Sequence, residues 1–253
     1  GNIIDFGWTE EFGDKLSAIL IAWLGGMESG NAVCDVLYGR ISPCGKLPDT
    51  IARKYEDYPS SSNFGGEVYN NYAEGIHVGY RYFDQHPDKV LWPFGYGLSY
   101  TSFALEIADF ARGSVMVKVT NTGNMAGKEV IQLFCMQPKG RIEKADRVLA
   151  AFAGTGELSP GESETVTLSY EDKSLASYDE SIHAFVLEAG EYCFTVNGID
   201  AGSFDLAEGF IVEQCHAICS PAVDLKERIL RNLPEGVAAA GAEDQKTQLL
   251  NHS

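Results

Sequence analysis

The spacing of apolar residues changes twice along this chain, and each change marks a different kind of structure. In the first hundred residues the apolar positions recur at helical spacing or in short unbroken runs. Thr9 to Ser17 reads as a helix with Thr9 as its N-cap. Ala18-Ile-Leu-Ile-Ala-Trp-Leu24 is a continuous apolar run, as expected of a strand buried on both faces, and Gly25-Gly26 then turns the chain. Ser29 to Tyr38 follows as a helix, with Ala32, Val33, Val36 and Leu37 on one stripe and Gly39 closing its end. Strand, glycine turn and helix form a unit of a layered α/β domain, here assigned to residues 1–100.

From residue 101 to 213 the period drops to two. Val115, Val117 and Val119 alternate with Met116, Lys118 and Thr120. Val166, Leu168 and Tyr170 alternate with Thr165, Thr167 and Ser169, while Tyr192, Phe194 and Val196 alternate with Cys193 and Thr195. Turn signals at Asn121-Thr-Gly123, Ser159-Pro-Gly161 and Ala189-Gly190 separate such segments. About seven of them predict an antiparallel β-sandwich. Residues 214–253 differ again. Asp224 to Leu233 can form a short amphipathic helix stopped by Pro234, and the alanine- and glycine-rich end reads as linker. The fold class expected is therefore α/β plus all-β.

Composition narrows the partners. The chain has 253 residues, 36 acidic and 19 basic, for a net charge of −17. Such a surface repels phosphate backbones and anionic membranes, which argues against nucleic acid and membrane partners and leaves a neutral ligand open. No run approaches the roughly 18 apolar residues of a membrane span. No secretory signal is visible, and Gly1-Asn2-Ile3-Ile4 does not look like a natural start. The six cysteines are too sparse for a disulfide framework; Cys34, Cys135 and Cys193 lie inside apolar runs and fit reduced thiols in a cytoplasmic setting. Cys215-His216-x-x-Cys219 lacks a second ligand pair, so no metal is expected.

Little of the sequence looks like reaction chemistry. Gly25-Gly26 lacks any phosphate-binding fingerprint and is followed by Glu28, so no cofactor is expected there. Glu28, Asp49, Glu67 and Glu74 are the carboxylates in glycine-rich or loop-like settings, and each reads as readily as a solvated group. No histidine has an identifiable Ser or Cys partner, so a hydrolytic triad has no support. Aromatics crowd between Tyr69 and Tyr100. They could stack on sugar rings or fill a seam between the two domains, since large rings dominate interface energetics.

Specific strings then become recognisable. Gly26-Met-Glu-Ser-Gly-Asn-Ala32, Asp35-Val-Leu-Tyr-Gly39 and Ser42-Pro-Cys-Gly-Lys-Leu-Pro48 resemble the second domain of family 3 glycoside hydrolases. So do Tyr72-Ala-Glu-Gly-Ile-His-Val-Gly-Tyr-Arg-Tyr-Phe83 and Trp92-Pro-Phe-Gly-Tyr-Gly-Leu-Ser-Tyr-Thr-Ser-Phe103. Val119-Thr-Asn-Thr-Gly123, Ala126 to Phe134, Leu158 to Glu162 and Glu188 to Tyr192 resemble the fibronectin type III-like domain of the β-glucosidase branch. The resemblance covers about 1–213.

That resemblance implies a retaining β-glycosidase acting on a neutral glycoside, a β-glucoside first and a β-xyloside as the alternative. It places an Asp nucleophile on a (β/α)₈ barrel and a Glu acid/base on a loop ahead of Gly1, so no catalytic residue is assigned in this chain. The string Ser220 to Pro234 resembles the junction in members with inverted domain order, where a barrel follows the sandwich. Trp92, Phe94 and Tyr96 are expected in the seam between the two domains, at the point where the period changes. Tyr72 and Glu74 are expected on a loop facing the barrel, with an ion pair from Glu74 to Arg81 as the plain alternative. The rival reading of the whole is a non-catalytic carbohydrate-binding or structural module on the same sandwich.

Overall fold

The described elements of the first hundred residues are shorter than the pattern suggests. A computed structural model describes residues 4–65, 72 and 74–216. Two short 3₁₀ turns, Gly7–Glu11 and Gly13–Lys15, stand where one helix from Thr9 is expected. Gly13, with φ of 46°, breaks the segment in the middle. Thr9 does not cap; its hydroxyl donates backward to the Phe6 carbonyl at 2.7 Å.

The run Ala18–Leu24 joins no sheet, contrary to the doubly buried strand expected, and Trp23 near its end takes a φ of 51°. Ile19 and Ile21 turn inward onto Phe6, Leu47 and Ile51, while Leu20, Trp23 and Leu24 point to solvent. Alternation in burial is what an extended chain must show when only one face has a neighbour. Helix α1, Ser29–Leu37, forms as read. Gly39 has φ of 68°, its N–H donates to Val36, and the Arg40 N–H donates to Asp35, which is the paired C-terminal cap that needs a left-handed residue. The stripe on α1 is only partly covered, since Val33 and Val36 are half-buried and Leu37 is exposed.

Strand β1, Ile51–Ala52, lies ahead of the one-turn helix α2, Tyr80–Phe83, and pairs antiparallel with β2, Val90–Trp92. Leu47 continues the pairing, donating to the Tyr96 carbonyl and accepting from the Gly95 N–H, both at 2.8 Å. Together they carry a small apolar cluster of Phe6, Leu47 and Ile51.

Beyond residue 101 the fold is all antiparallel strand. β3 is Phe103–Ala111, β4 Ser114–Asn121, β5 Val130–Met136, β6 Val148–Gly154 and β7 Ser163–Ser169. A one-turn helix α3, Asp172–Leu175, leads to β8 Ser177–Asp179, β9 Ala184–Leu187, β10 Gly190–Val196, β11 Ile199–Leu206 and β12 Phe210–Gln214. Three sheets result, ordered β11-β10-β5-β6, β3-β4-β7 and β12-β9-β8. Ten strands appear where about seven are expected, because strands as short as β8 and β9 show too few positions for a period.

The alternating residues point where the pattern puts them. Val115 and Val117 pair with Leu168 and Val166, and all of them face Ile131, Leu133, Cys135, Tyr192, Phe194 and Val196 across one core. Phe194 stacks on Tyr170 at 4.9 Å, and Tyr192 on Phe204 at 5.1 Å. Asn121, wholly buried, explains its turn: its amide donates to the carbonyls of Met125 and Leu158, and its Oδ1 accepts from the Thr101 hydroxyl and the Gly123 N–H. Every polar atom of that side chain is used, which is the condition for burying it. The segment Asp224–Leu233 lies outside the described residues.

Candidate functional site

The strings that carry the family resemblance lie far apart in sequence, and the structure draws them to one boundary. Phe134 projects from β5 away from the sandwich core, yet it is almost fully buried. Tyr80 covers it from α2, 5.6 Å away and edge-on, and Phe94 covers it at 6.1 Å, also edge-on. Tyr80 and Phe94 are 5.0 Å apart. Arg147 closes this cluster: its guanidinium lies 4.2 Å from the Phe134 ring and gives two hydrogen bonds to the Asp84 carboxylate, at 2.7 and 2.8 Å. A planar fork fits a carboxylate and an aromatic face at once, where a lysine would not. The Leu149 N–H donates to the Tyr80 hydroxyl oxygen at 2.9 Å, tying α2 to β6.

A second clasp lies one strand-length away. The Lys46 ammonium donates to the Gly97 carbonyl and pairs with Glu129, both at 2.9 Å, with both side chains largely buried. Ser42 shares a 2.7 Å hydrogen bond with Ser99 and accepts from the Tyr100 N–H. The glycines between these points have a steric reason. A side chain at Gly95 would overlap the Gln132 amide of β5, and Gly95 has φ of 80° besides.

The aromatics singled out from sequence divide at this boundary. Phe94 puts its ring into the cluster with Phe134. The Trp92 ring packs edge-on against Phe6 at 5.0 Å, on the α/β side, because β2 pairs with β1 and turns Trp92 toward Ile51. Tyr96 is 40% exposed and holds the Leu47 backbone rather than a ring partner. Sequence reasoning missed Asp84, Phe134 and Arg147, and had Tyr80 only within the aromatic crowd between Tyr69 and Tyr100. One signal was available: Val130-Ile-Gln-Leu-Phe-Cys-Met136 is apolar on both faces, which an alternating strand shows only when a second layer covers it.

Tyr72 and Glu74 belong to the segment that precedes this cluster. Tyr72 is 88% exposed. Glu74 opens a turn in which its carbonyl accepts the His77 N–H at 3.0 Å, and Gly75 and Gly79 take positive φ of 58° and 59° around it. Arg81 lies 5.9 Å from the Tyr80 ring. His77 reaches the sandwich, its Nε2 2.8 Å from Glu143.

Of the remaining carboxylates, Glu28 sits at the N-cap of α1 and accepts from the Asn31 amide. Asp49 is exposed on the loop before β1, and what burial it has pushes its carboxyl above the ordinary value. Glu67 lies outside the described residues. No hydrogen bond among the described residues joins Glu28, Asp49 and Glu74. Among the described residues no group of three His, Cys, Asp or Glu side chains could hold a metal, and no helix is long and apolar enough to cross a membrane.

Known proteins share this arrangement. Residues 1–100 match the glycosyl hydrolase family 3 C-terminal domain, and residues 129–198 match the fibronectin type III-like domain. A β-glucosidase of Ruminococcus albus is 43% identical over 90% of this chain. A β-glucosidase structure from Paenibacillus barengoltzii superposes with a TM-score of 0.76 at 41% identity over 92% of this chain, and β-glucosidase 3B of Thermotoga neapolitana with 0.68 at 41% over 76%. The chain spans 25% of the Ruminococcus protein and 31% and 28% of the two solved ones.

Proposed function

Because this chain belongs to glycosyl hydrolase family 3, we propose that it is the accessory portion of a retaining β-glycosidase, and that it shapes and supports an active site whose reacting carboxylates lie elsewhere in the protein. The substrate is a neutral glycoside cut at its terminal residue, a β-glucoside first. The observation that carries this is the 43% identity to a β-glucosidase across 90% of the chain, running through both domains and the boundary between them. A retaining enzyme needs two carboxyl groups about 5–5.5 Å apart, one as nucleophile and one as acid and then base. The family resemblance implies that both lie on a barrel and a loop outside this chain. This chain contributes a platform: the Phe134, Tyr80 and Phe94 cluster fixes the α/β part on the sandwich, and Tyr72 and Glu74 face the barrel. Nucleic acid and membranes are not partners on this reading, since a charge of −17 repels both. The free thiols of Cys34, Cys44, Cys135 and Cys193 fit a cytoplasmic site.

Two assays of aryl β-glucoside hydrolysis test the proposal. The 253-residue chain alone gives no turnover above a buffer control, and the full reading frame releases glucose that NMR shows first as the β-anomer. Turnover by the chain alone, or inversion or inactivity in the full protein, overturns it.

A further inference from the structure

The His77–Glu143 contact stands out because the loop it starts from on the sandwich side is itself built to hold still. Residues 138–144 connect β5 to β6 and are fastened from below by two carboxylates. Glu188 accepts the Arg141 N–H at 2.8 Å and the Ile142 N–H at 3.3 Å, and pairs with the Lys144 ammonium. Burial by itself would raise that carboxyl; Lys144 and the two amides outweigh it and hold it below its ordinary value. Lys144 is 7% exposed, so its charge is answered almost entirely by Glu188 and the Ile142 carbonyl. Asp179, also buried, grips the Arg141 guanidinium. A side chain at Gly140 would overlap the Glu188 carboxylate, and one at Gly190 would overlap Pro138, so the loop lies flat on its support.

Glu143 rises from this fastened loop, 68% exposed, and meets a histidine that is mostly buried. His77 Nδ1 is enclosed without a hydrogen-bond partner among the described residues, so Glu143 is the one polar contact described for the ring. Outward of His77 the turn exposes Tyr72, Ile76 and Val78. A loop flanked by two left-handed glycines has little stiffness of its own. Among the described residues its hydrogen bond to the sandwich is the one from His77 to Glu143.

We infer that Glu143 and His77 are positioning residues: a strut through which the fibronectin type III-like sandwich fixes the 74–79 segment in the posture that receives the glycoside. This rests on the proposed glycosidase reading for what the segment faces, and on the geometry alone for the strut. The carboxylate accepts the Nε2–H, no bond breaks, and the strut acts through the loop without touching the reacting atoms.

Hydrogen exchange on the 253-residue chain tests the strut directly. Glu143→Ala and His77→Ala each speed exchange of the 74–79 amides about tenfold, and the double variant exchanges no faster than either single one, as two ends of one contact must. Glu143→Gln keeps an acceptor for Nε2–H and restores the slow exchange. The melting of the sandwich is unchanged in all four. Exchange equal to wild type in Glu143→Ala, multiplied effects in the double variant, or a Gln variant as fast as Ala overturns the strut. In the full-length protein Glu143→Ala raises KM for an aryl β-glucoside about fivefold with kcat within twofold, the signature of lost binding rather than lost chemistry. Faster exchange with unchanged KM overturns the positioning role while leaving the strut. Absence of any hydrolysis by the wild-type full-length protein overturns the glycosidase reading instead.

Discussion

The two halves of the described chain are of similar length and bury very different amounts of themselves. The sandwich encloses sixteen core side chains, among them Tyr192, Phe194 and Val196 with no exposed surface. The α/β half encloses Phe6, Leu47 and Ile51. Phe83 is buried as well, but several of its other large apolar groups lie open, with Leu24 86%, Met27 103%, Leu37 65% and Tyr38 78% exposed. Composition does not explain this, since Ala18–Leu24 is as apolar as any strand of the sandwich. The difference is in partners. Each sandwich strand pairs with a neighbour within the chain, whereas the Ala18–Leu24 segment pairs with no strand among the described residues and is covered only at Ile19 and Ile21. An apolar face stabilises a fold only to the extent that something covers it. The α/β half therefore leans on the sandwich, and the Phe94–Phe134–Arg147 seam is where it leans.

The sharpest way to break this comparison is to separate the halves. Residues 101–214 expressed alone are expected to be soluble and to melt in one cooperative step by calorimetry. Residues 1–100 alone are expected to aggregate or to show no transition, and a cooperative transition there would mean the small Phe6–Leu47–Ile51 cluster suffices.

Single substitutions sharpen the same contrast. Phe194→Ala removes a wholly buried ring stacked on Tyr170 and should cost about 3–5 kcal/mol in urea titrations. Leu24→Ser, on the open face of the α/β half, should change stability by less than about 0.5 kcal/mol. If the two costs came out alike, the exposed run would have to be packed in solution.

The smallest effect expected is one of pH. Arg141, then the Ser181 side chain and amide, hold the Asp179 carboxyl down to about 2 from an unfolded value of 3.8. A carboxyl with a lowered folded value stabilises the fold above its unfolded value and loses that contribution as pH falls toward the folded one. The loop 138–144 should therefore loosen between about pH 4 and pH 2 in wild type, seen by hydrogen exchange, and Asp179→Asn should weaken that dependence, leaving the part that the Glu188 carboxylate contributes. A loop insensitive to acid over this window would separate Asp179 from the clamp.

Much of the architecture was legible from spacing alone. Period two placed Val115, Val117, Val119, Val166, Leu168, Tyr192, Phe194 and Val196 in one core, because a strand's side chains must alternate whatever its neighbours are. Helix α1 with its Gly39 cap was equally local, since the left-handed residue that ends it is written at one position. Tertiary structure decided the rest. An apolar run such as Ala18–Leu24 states a need for cover without saying what supplies it, so its single inward face could not be read off. Trp92 and Phe94 sit two residues apart in one motif, a spacing that an extended strand keeps on one side, but β2 ends at Trp92 and Phe94 lies in the turn beyond it, so one ring meets Phe6 and the other Phe134. Asp84 and Arg147, or His77 and Glu143, are more than sixty residues apart, and their types are among the commonest on any surface. Their meeting is a consequence of how β5 and β6 carry the sandwich's outer face against α2, a fact about three-dimensional packing that no local pattern of the chain contains.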